Sequence, residues 1–310
     1  MLRHKKKESA MGNLFGNIFG KKSADSASDK AQPQEQLDGK ISDETLSKII
    51  EAIKAETETP CMKIVLKDGS PSFAGSKLGG LPYIPHDGNF PLDSQGKQMK
   101  LLAQIDCKDI SLQGFPASGL LQFFVASNRL FGLNTAAPTE QTGFAVRYYE
   151  TVDATVTEDE VKSKVIADED AKPRFPLKGG AFAIELLPET DFISAGDFRF
   201  EQMLADKANA LCPNCGIKSL FDLTEEQQRQ ISAAFSGSGS KISGFPHFAQ
   251  DDPRCVADKN LQSFETLLLQ LDSDNENIIW GDSGTGNFFI EPAMLAECDF
   301  SRVLYNWDCL

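Results

Sequence analysis

Histidine is scarce in this 310-residue chain: His4, His86 and His247 are the only three. That weighs on the stretch WGDSGTGNFF at 280–289, whose GDSG is the sequence found around the nucleophile of trypsin-like proteases. A triad needs a histidine oriented by a buried aspartate, and His4 falls in a polar leader. No apolar run approaches the 18 residues of a membrane span. The apolar core and small-residue cleavage site of a secretory leader are also missing. Seven cysteines, an odd number, are spread along the chain. Together these features lead us to expect free thiols in a reducing cytoplasm.

Positive charge is in deficit, with 31 Lys and Arg against 45 Asp and Glu, a net −14. Residues 1–22 carry Arg3, Lys5, Lys6, Lys7, Lys21 and Lys22 against Glu8, or +5, so the remainder carries −19. An acidic body repels phosphate backbones and argues against nucleic acid as a partner. It suits a basic protein partner, although a solvated acidic surface alone also accounts for solubility.

Hydrophobic residues make up 41% of the chain, enough for a substantial core. Residues 1–40 read as a tail and linker. Within them MGNLFGNIFGKK, from Met11, is either a disordered leader or a weak, reversible membrane contact, and Met11 competes with Met1 as the start. A helix opens at Ser42, with Leu46, Ile49, Ile50 and Ile53 on one face. Strand patterns cover Met62–Leu66, Leu101–Ile105, Gly119–Val125, Phe144–Tyr149 and Ala181–Leu187. Further helices are predicted over Asp197–Leu211, over Thr224–Phe235 with Thr224 and Gln227 as a capping box, and from Pro292 to Ala296.

Three blocks recur in order. SKLGGLPY (76–83) resembles SKISGFPH (240–247), LLAQID (101–106) resembles LLLQLD (267–272), and SGLLQFF (118–124) resembles SGTGNFF (283–289). Their offsets are 164, 166 and 165 positions. A shared spacing of this kind is the mark of internal duplication. It makes Ser283 the counterpart of Ser118, which has no protease context, so the serine-glycine turn is expected to serve the scaffold. We expect a β-rich α+β fold. Pseudo-twofold related repeats (about 60–127 and 240–310) and an inserted β/α segment (128–239) would form one domain over 41–310.

With SKLGGLPYIP (76–85), LLAQID, GLLQFF (119–124), GFPHFAQDDPR (244–254), LLLQLDSD (267–274), WGDSGTGNFFI (280–290) and DFSRVLYNWDC (299–309), the sequence resembles the YwqG-like family, a bacterial domain of unknown function. One departure is Ser243-Gly244, where the family pattern favours two glycines. The difference weakens the expectation that the two loops have identical backbone geometry. The resemblance implies a β-rich α+β fold and a bacterial cytoplasmic protein, but no reaction. It also carries an association with toxin systems in which an acidic immunity protein neutralises a toxin.

The chemistry-bearing residues leave two classes of function open. Lys77, Gln104 and Asp106, with their counterparts Lys241, Gln270 and Asp272, are candidates to line a cleft between the repeats, joined by Arg254 and Asp282. Gln104 and Gln270 each interrupt an apolar strand. A buried amide is costly unless satisfied, so each is either a bracket pinning a nearby loop or a ligand-facing group, and the bracket is favoured. The lysines bracket a ligand or neutralise Asp106 and Asp272. Asp272-Ser273-Asp274 imitates the start of a calcium loop, but Asn277 and Ser283 stand where the glycine and glutamate belong. Cys212 and Cys215 have the spacing of a zinc or redox pair but no partner pair in the sequence. No cofactor is indicated. The first expectation is a non-catalytic binding protein, immunity-like, using its acidic surface. The alternative is an enzyme or ligand binder, metal-dependent or not, using the cleft.

Overall fold

Leu120–Val125 is buried at every position, as befits a strand covered on both faces. It belongs to a ten-stranded sheet in the computed structural model of the chain, which describes residues 41–167, 174–256 and 259–310. The tail and linker expected over 1–40 lie outside the described residues. The strands are β1 (Thr59–Lys67), β2 (Lys77–Gly79), β3 (Lys100–Asp106), β4 (Leu120–Val125), β5 (Phe144–Tyr149), β6 (Ala181–Asp191), β7 (Lys241–Ser243), β8 (Thr266–Asp272), β9 (Thr285–Ile290) and β10 (Leu304–Asp308). The order is β10-β9-β8-β7-β1-β6-β2-β3-β4-β5, and every neighbouring pair is antiparallel. Six helices accompany it among the described residues: α1 (Asp43–Thr57), α2 (Glu158–Ser163), α3 (Phe200–Leu211), α4 (Glu225–Ala234), α5 (Pro253–Val256) and α6 (Pro292–Ala296). The fold is α+β.

The central pair β1 and β6 carries one arm of four strands on each side. Both arms pair in one pattern. Lys77 faces Gln104 and Gln104 faces Gln122; Lys241 faces Gln270 and Gln270 faces Asn287. Each arm has a register shift at the same place, between Leu101 and Ala103 and between Leu267 and Leu269. A bulge adds one residue to its strand. Here it turns two successive side chains, Leu102 and Ala103 or Leu268 and Leu269, into the large inner core.

The sheet is nearly closed. Phe144 on one outer strand lies 5.1 Å, centroid to centroid, from Tyr305 on the other, and Phe123 lies 5.1 Å from Phe288 between the arms. Such aromatic pairs add about 0.5–1.5 kcal/mol each beyond their area. The connection from β4 to β5 covers the β10 edge. Tyr305 donates its N–H to the Pro138 carbonyl and its hydroxyl to the Phe131 carbonyl, and Trp307 Nε1 donates to the Leu130 carbonyl.

A second core joins α1, α3 and α4. Ser42 Oγ caps α1 by accepting the Thr45 N–H, and Leu46, Ile49 and Ile53 are fully buried against Phe200, Leu204 and Ile231. Three such side chains contribute on the order of 6 kcal/mol before conformational entropy. The Thr224–Gln227 capping box starts α4. The third helix begins at Phe200, not at the predicted Asp197, because the Asp197 side chain is engaged by Arg199 and Arg254.

Candidate functional site

Above the outer face of each arm a loop is tied down by a strand amide. In the first arm Gln104 Oε1 accepts the Tyr83 N–H (2.9 Å) and Gln122 Nε2 (2.8 Å), while Gln104 Nε2 donates to the Phe73 and Gly75 carbonyls (2.9 and 3.0 Å). In the second, Gln270 Oε1 accepts the His247 N–H (2.7 Å), and Gln270 Nε2 donates to the Gly237 and Gly239 carbonyls (2.9 and 2.7 Å). Gln122 and Asn287 complete the brackets by donating to the Tyr83 and His247 carbonyls. Ser76 and Ser240 each accept the N–H of the aspartate ending the next strand, Asp106 or Asp272. Both bracketing glutamines are fully buried.

The lysines before the loops are also buried but differ in their counter-charges. Lys77 Nζ donates to the Phe73 carbonyl at 2.6 Å, and no carboxylate among the described residues pairs with it. Burial lowers its pKa to about 8. Lys241 Nζ bonds Asp191 Oδ2 at 2.7 Å and the Gly237 carbonyl at 2.8 Å. Neither lysine pairs with Asp106 or Asp272. Asp272 accepts the Gly239 N–H and the Thr285 hydroxyl, and Asp106 accepts the Lys108 N–H.

The loops share backbone geometry despite the Ser243 departure. Ser243 and Gly244 have φ of 65° and 78°, against 66° and 74° at Gly79 and Gly80. A Cβ at Gly79 would collide with the Gly180 carbonyl oxygen, so glycine is required there, whereas the second loop tolerates serine at the cost of left-handed strain. The serine-glycine turns have a common cause too. A Cβ at Gly119 would strike the Tyr149 carbonyl of β5, and one at Gly284 the Asp308 carbonyl of β10. Ser283 itself is exposed and donates to Asn275 Oδ1 at 2.9 Å; Asp282 is exposed in the same turn.

Arg254 is wholly buried in an ionic cluster. Its guanidinium bonds Asp252 through Nε (3.0 Å) and Nη2 (2.7 Å), and Asp197 through Nη2 (3.0 Å), with Cζ 4.6 Å from the centroid of the Phe289 ring. Arg199 adds a second fork to Asp197. Burial alone would raise the Asp197 pKa, but Arg199 and Arg254 outweigh it and hold it low. Removing one member of such a buried cluster costs about 3–5 kcal/mol. Asp274 caps its own turn: burial opposes ionisation, but the N–H groups of Ile278, Glu276 and Asn277 win and its pKa is lowered. Cys212 and Cys215 lie in the turn after α3.

One cleft of about 370 Å³ borders this framework, where β1, the end of β6 and the Ser236–Ser240 loop meet. Lys63, Thr190, Ser236 and Ser238 line it beside the Lys241–Asp191 pair and Cys61. Burial, with Asp191 adding, pushes the Cys61 thiol up to about 11, so it is protonated at neutral pH and a poor nucleophile. The cleft suits a small polar ligand better than a covalent reaction. Of the sequence candidates only Lys241 lines it; Asp191 left no sequence signal, because its partner lies 50 positions away.

The sequence model of the family described as Domain of unknown function (DUF1963) matches residues 76–309. This chain belongs to the DUF1963 family. The DUF1963 match runs from the first bracketed loop through β10, so it takes in both arms, while α1 and β1 precede it. No curated protein matches the chain.

Proposed function

We propose that this DUF1963 chain is a non-catalytic binding protein of the YwqG-like kind that engages a basic partner protein, as an immunity protein would. The supporting observation is where its polar side chains spend their hydrogen bonds: Gln104, Gln270, Asp272 and Arg254 serve the scaffold. The matching registers of the two arms favour internal duplication as the origin of that scaffold. What remains for recognition is surface, and the surface is acidic. The helix α1 alone exposes Asp43, Glu44, Glu51 and Glu56 against Lys48. Charge complementarity of this sort acts mainly on association rate and salt dependence. The test is binding of the basic protein encoded beside the gene, by calorimetry at two salt concentrations. Affinity should fall steeply with salt and fall again when Glu44 and Glu51 become lysine; salt-independent binding, or neutralisation without binding, refutes the reading.

The cleft beside Lys241 supports a second reading, a small polar ligand held by Lys63 and the serine-rich loop. A metabolite that raises the melting temperature of the wild type but not of Ser238→Trp would favour it.

A further inference from the structure

A second cleft, of about 380 Å³, opens on the first arm. It lies where the inner core, through Phe175 and Leu177, meets the outer cluster of Phe90, Met99 and Leu101. Its volume falls within the range of about 300–1,000 Å³ typical of small-molecule sites, and its mainly apolar lining is typical of them too. The walls are braced. Gln98 Nε2 donates to the Lys164 carbonyl and Gln98 Oε1 accepts the Ile166 N–H, both at 2.8 Å. Lys164 Nζ in turn donates to the Pro85 and His86 carbonyls at 2.7 Å. On the other side the Ile279 N–H donates to the Pro176 carbonyl at 2.7 Å, and the Lys178 N–H to the Asn277 carbonyl at 2.8 Å. A cleft fixed in this way costs a ligand little ordering.

Two observations point to what the cleft holds. At its rim Val165 and Ile166 are 48% and 68% exposed. Apolar side chains facing water beside an apolar cavity are the pattern of a recognition site. Lys100 is the one charged group among the described lining residues. It is half-buried, its Nζ rests 6.0 Å from the centroid of the Phe175 ring, and no carboxylate among the described residues pairs with it. In a chain of net charge −14, an ammonium without a counter-charge in an apolar cleft is placed to receive an anion, and partial desolvation strengthens the attraction. A single point charge suits a carboxylate; a phosphate calls for more donors or a forked guanidinium. The second arm differs at the matching positions. Phe245 replaces Leu81 and packs against the helical core, with Arg199 5.3 Å from its ring, and Thr266 replaces Lys100. The helical core thus abuts that loop, whereas Leu81 and Pro82 of the first arm line the cleft.

We propose that this cleft binds one aliphatic carboxylate of medium chain length, its tail against Phe90, Met99 and Leu101 and its carboxylate on Lys100 Nζ. The aliphatic and thioether side chains of the lining adapt to a flexible tail, which covers Val165 and Ile166 at the rim.

The test uses the full chain, freed of bound lipid and titrated with decanoate below its micellar concentration, with calorimetry and thermal melting as readouts. Decanoate should bind once per chain and raise the melting temperature. Decanol, equal in length but uncharged, should bind about tenfold or more weakly, and acetate, a head without a tail, should not bind. Lys100→Met should remove the preference for decanoate and leave decanol binding as it was. Ile166→Asp, at an exposed position whose change spares the fold, should weaken decanoate about tenfold or more by adding a like charge at the rim. Lys108→Met, at an exposed lysine elsewhere, should change nothing. Light scattering on the same samples reports whether a second copy of the chain fills the cleft instead. No binding by wild type, equal binding of decanoate and decanol, several decanoates per chain, a decanoate affinity untouched by Lys100→Met, or a dimer that Ile166→Asp breaks overturns the inference.

Discussion

Replacing Gln104 by leucine removes an amide while nearly keeping its volume, so the cost is polar and not a cavity. Four hydrogen bonds disappear: those to the Tyr83 N–H, Gln122 Nε2, the Phe73 carbonyl and the Gly75 carbonyl. Net worth per neutral bond is about 1 kcal/mol, and a buried donor left unpaired costs about 1–3 kcal/mol. The expected loss is therefore about 4 kcal/mol for Gln104→Leu. Gln270 makes three such bonds, so its leucine variant should lose about 3 kcal/mol. Either is a large share of the 5–15 kcal/mol that typically holds a domain folded. Urea unfolding followed by circular dichroism reads the loss as a lower midpoint at unchanged slope. Gln113→Leu, at an exposed glutamine, serves as the control and should fall within about 0.5 kcal/mol of wild type. If Gln104→Leu costs no more than that control, the amides do not hold the loops and the bracket argument fails.

Two further outcomes follow from the same framework. Lys77 has its pKa lowered to about 8 by burial, so between pH 8 and 10.5 the unfolded chain binds more protons and stability rises with pH. Wild type should gain about 3 kcal/mol on Lys77→Met across that window; a pH-independent difference in urea titrations would refute this. The thiols of Cys61 and Cys107, raised to about 11 and about 12, act oppositely above pH 9 and cancel in the comparison. Ser243→Gly should stabilise by about 1 kcal/mol by relieving left-handed strain, and Gly79→Ser should destabilise by more than about 2 kcal/mol through collision with Gly180; thermal melts showing the reverse order would contradict the loop comparison.

Sequence periodicity captured the elements that bury a regular face. In α1, Leu46, Ile49 and Ile53 fall where the 3.6-residue repeat puts them, β3 and β4 carry runs of apolar residues, and β8 and β9 follow from those two through the recurring blocks. Three strands were not legible. In β2 and β7 only three residues pair, too few for alternation to register, and each sits among glycines and prolines. In β10 the side chains are mixed, and its place is set by β9 and by the connection across it. Sequence patterning ends β6 at Leu187, but the strand runs four residues further through Pro188, because β1 continues to pair with it. At the site, Gln104 and Gln270 were conspicuous as amides in apolar strands. Their acceptors were not, since a backbone carbonyl leaves no trace in a sequence. Asp191 and Asp197 were hidden for a related reason: a carboxylate that will meet a buried cation reads the same as one that will face water.

The position of β1 bears on how the molecule is made. It leaves the ribosome ahead of every other described strand, yet Met62 pairs with Pro188 on one side and Ile242 on the other. The keystone of the arch is thus cut first and set last. Until the distant partners are synthesised, its apolar face has nothing to rest on, and pairings over such separations form slowly and expose sticky intermediates. Nascent chains halted between residues 67 and 181 should therefore depend on chaperones in a way the finished protein does not.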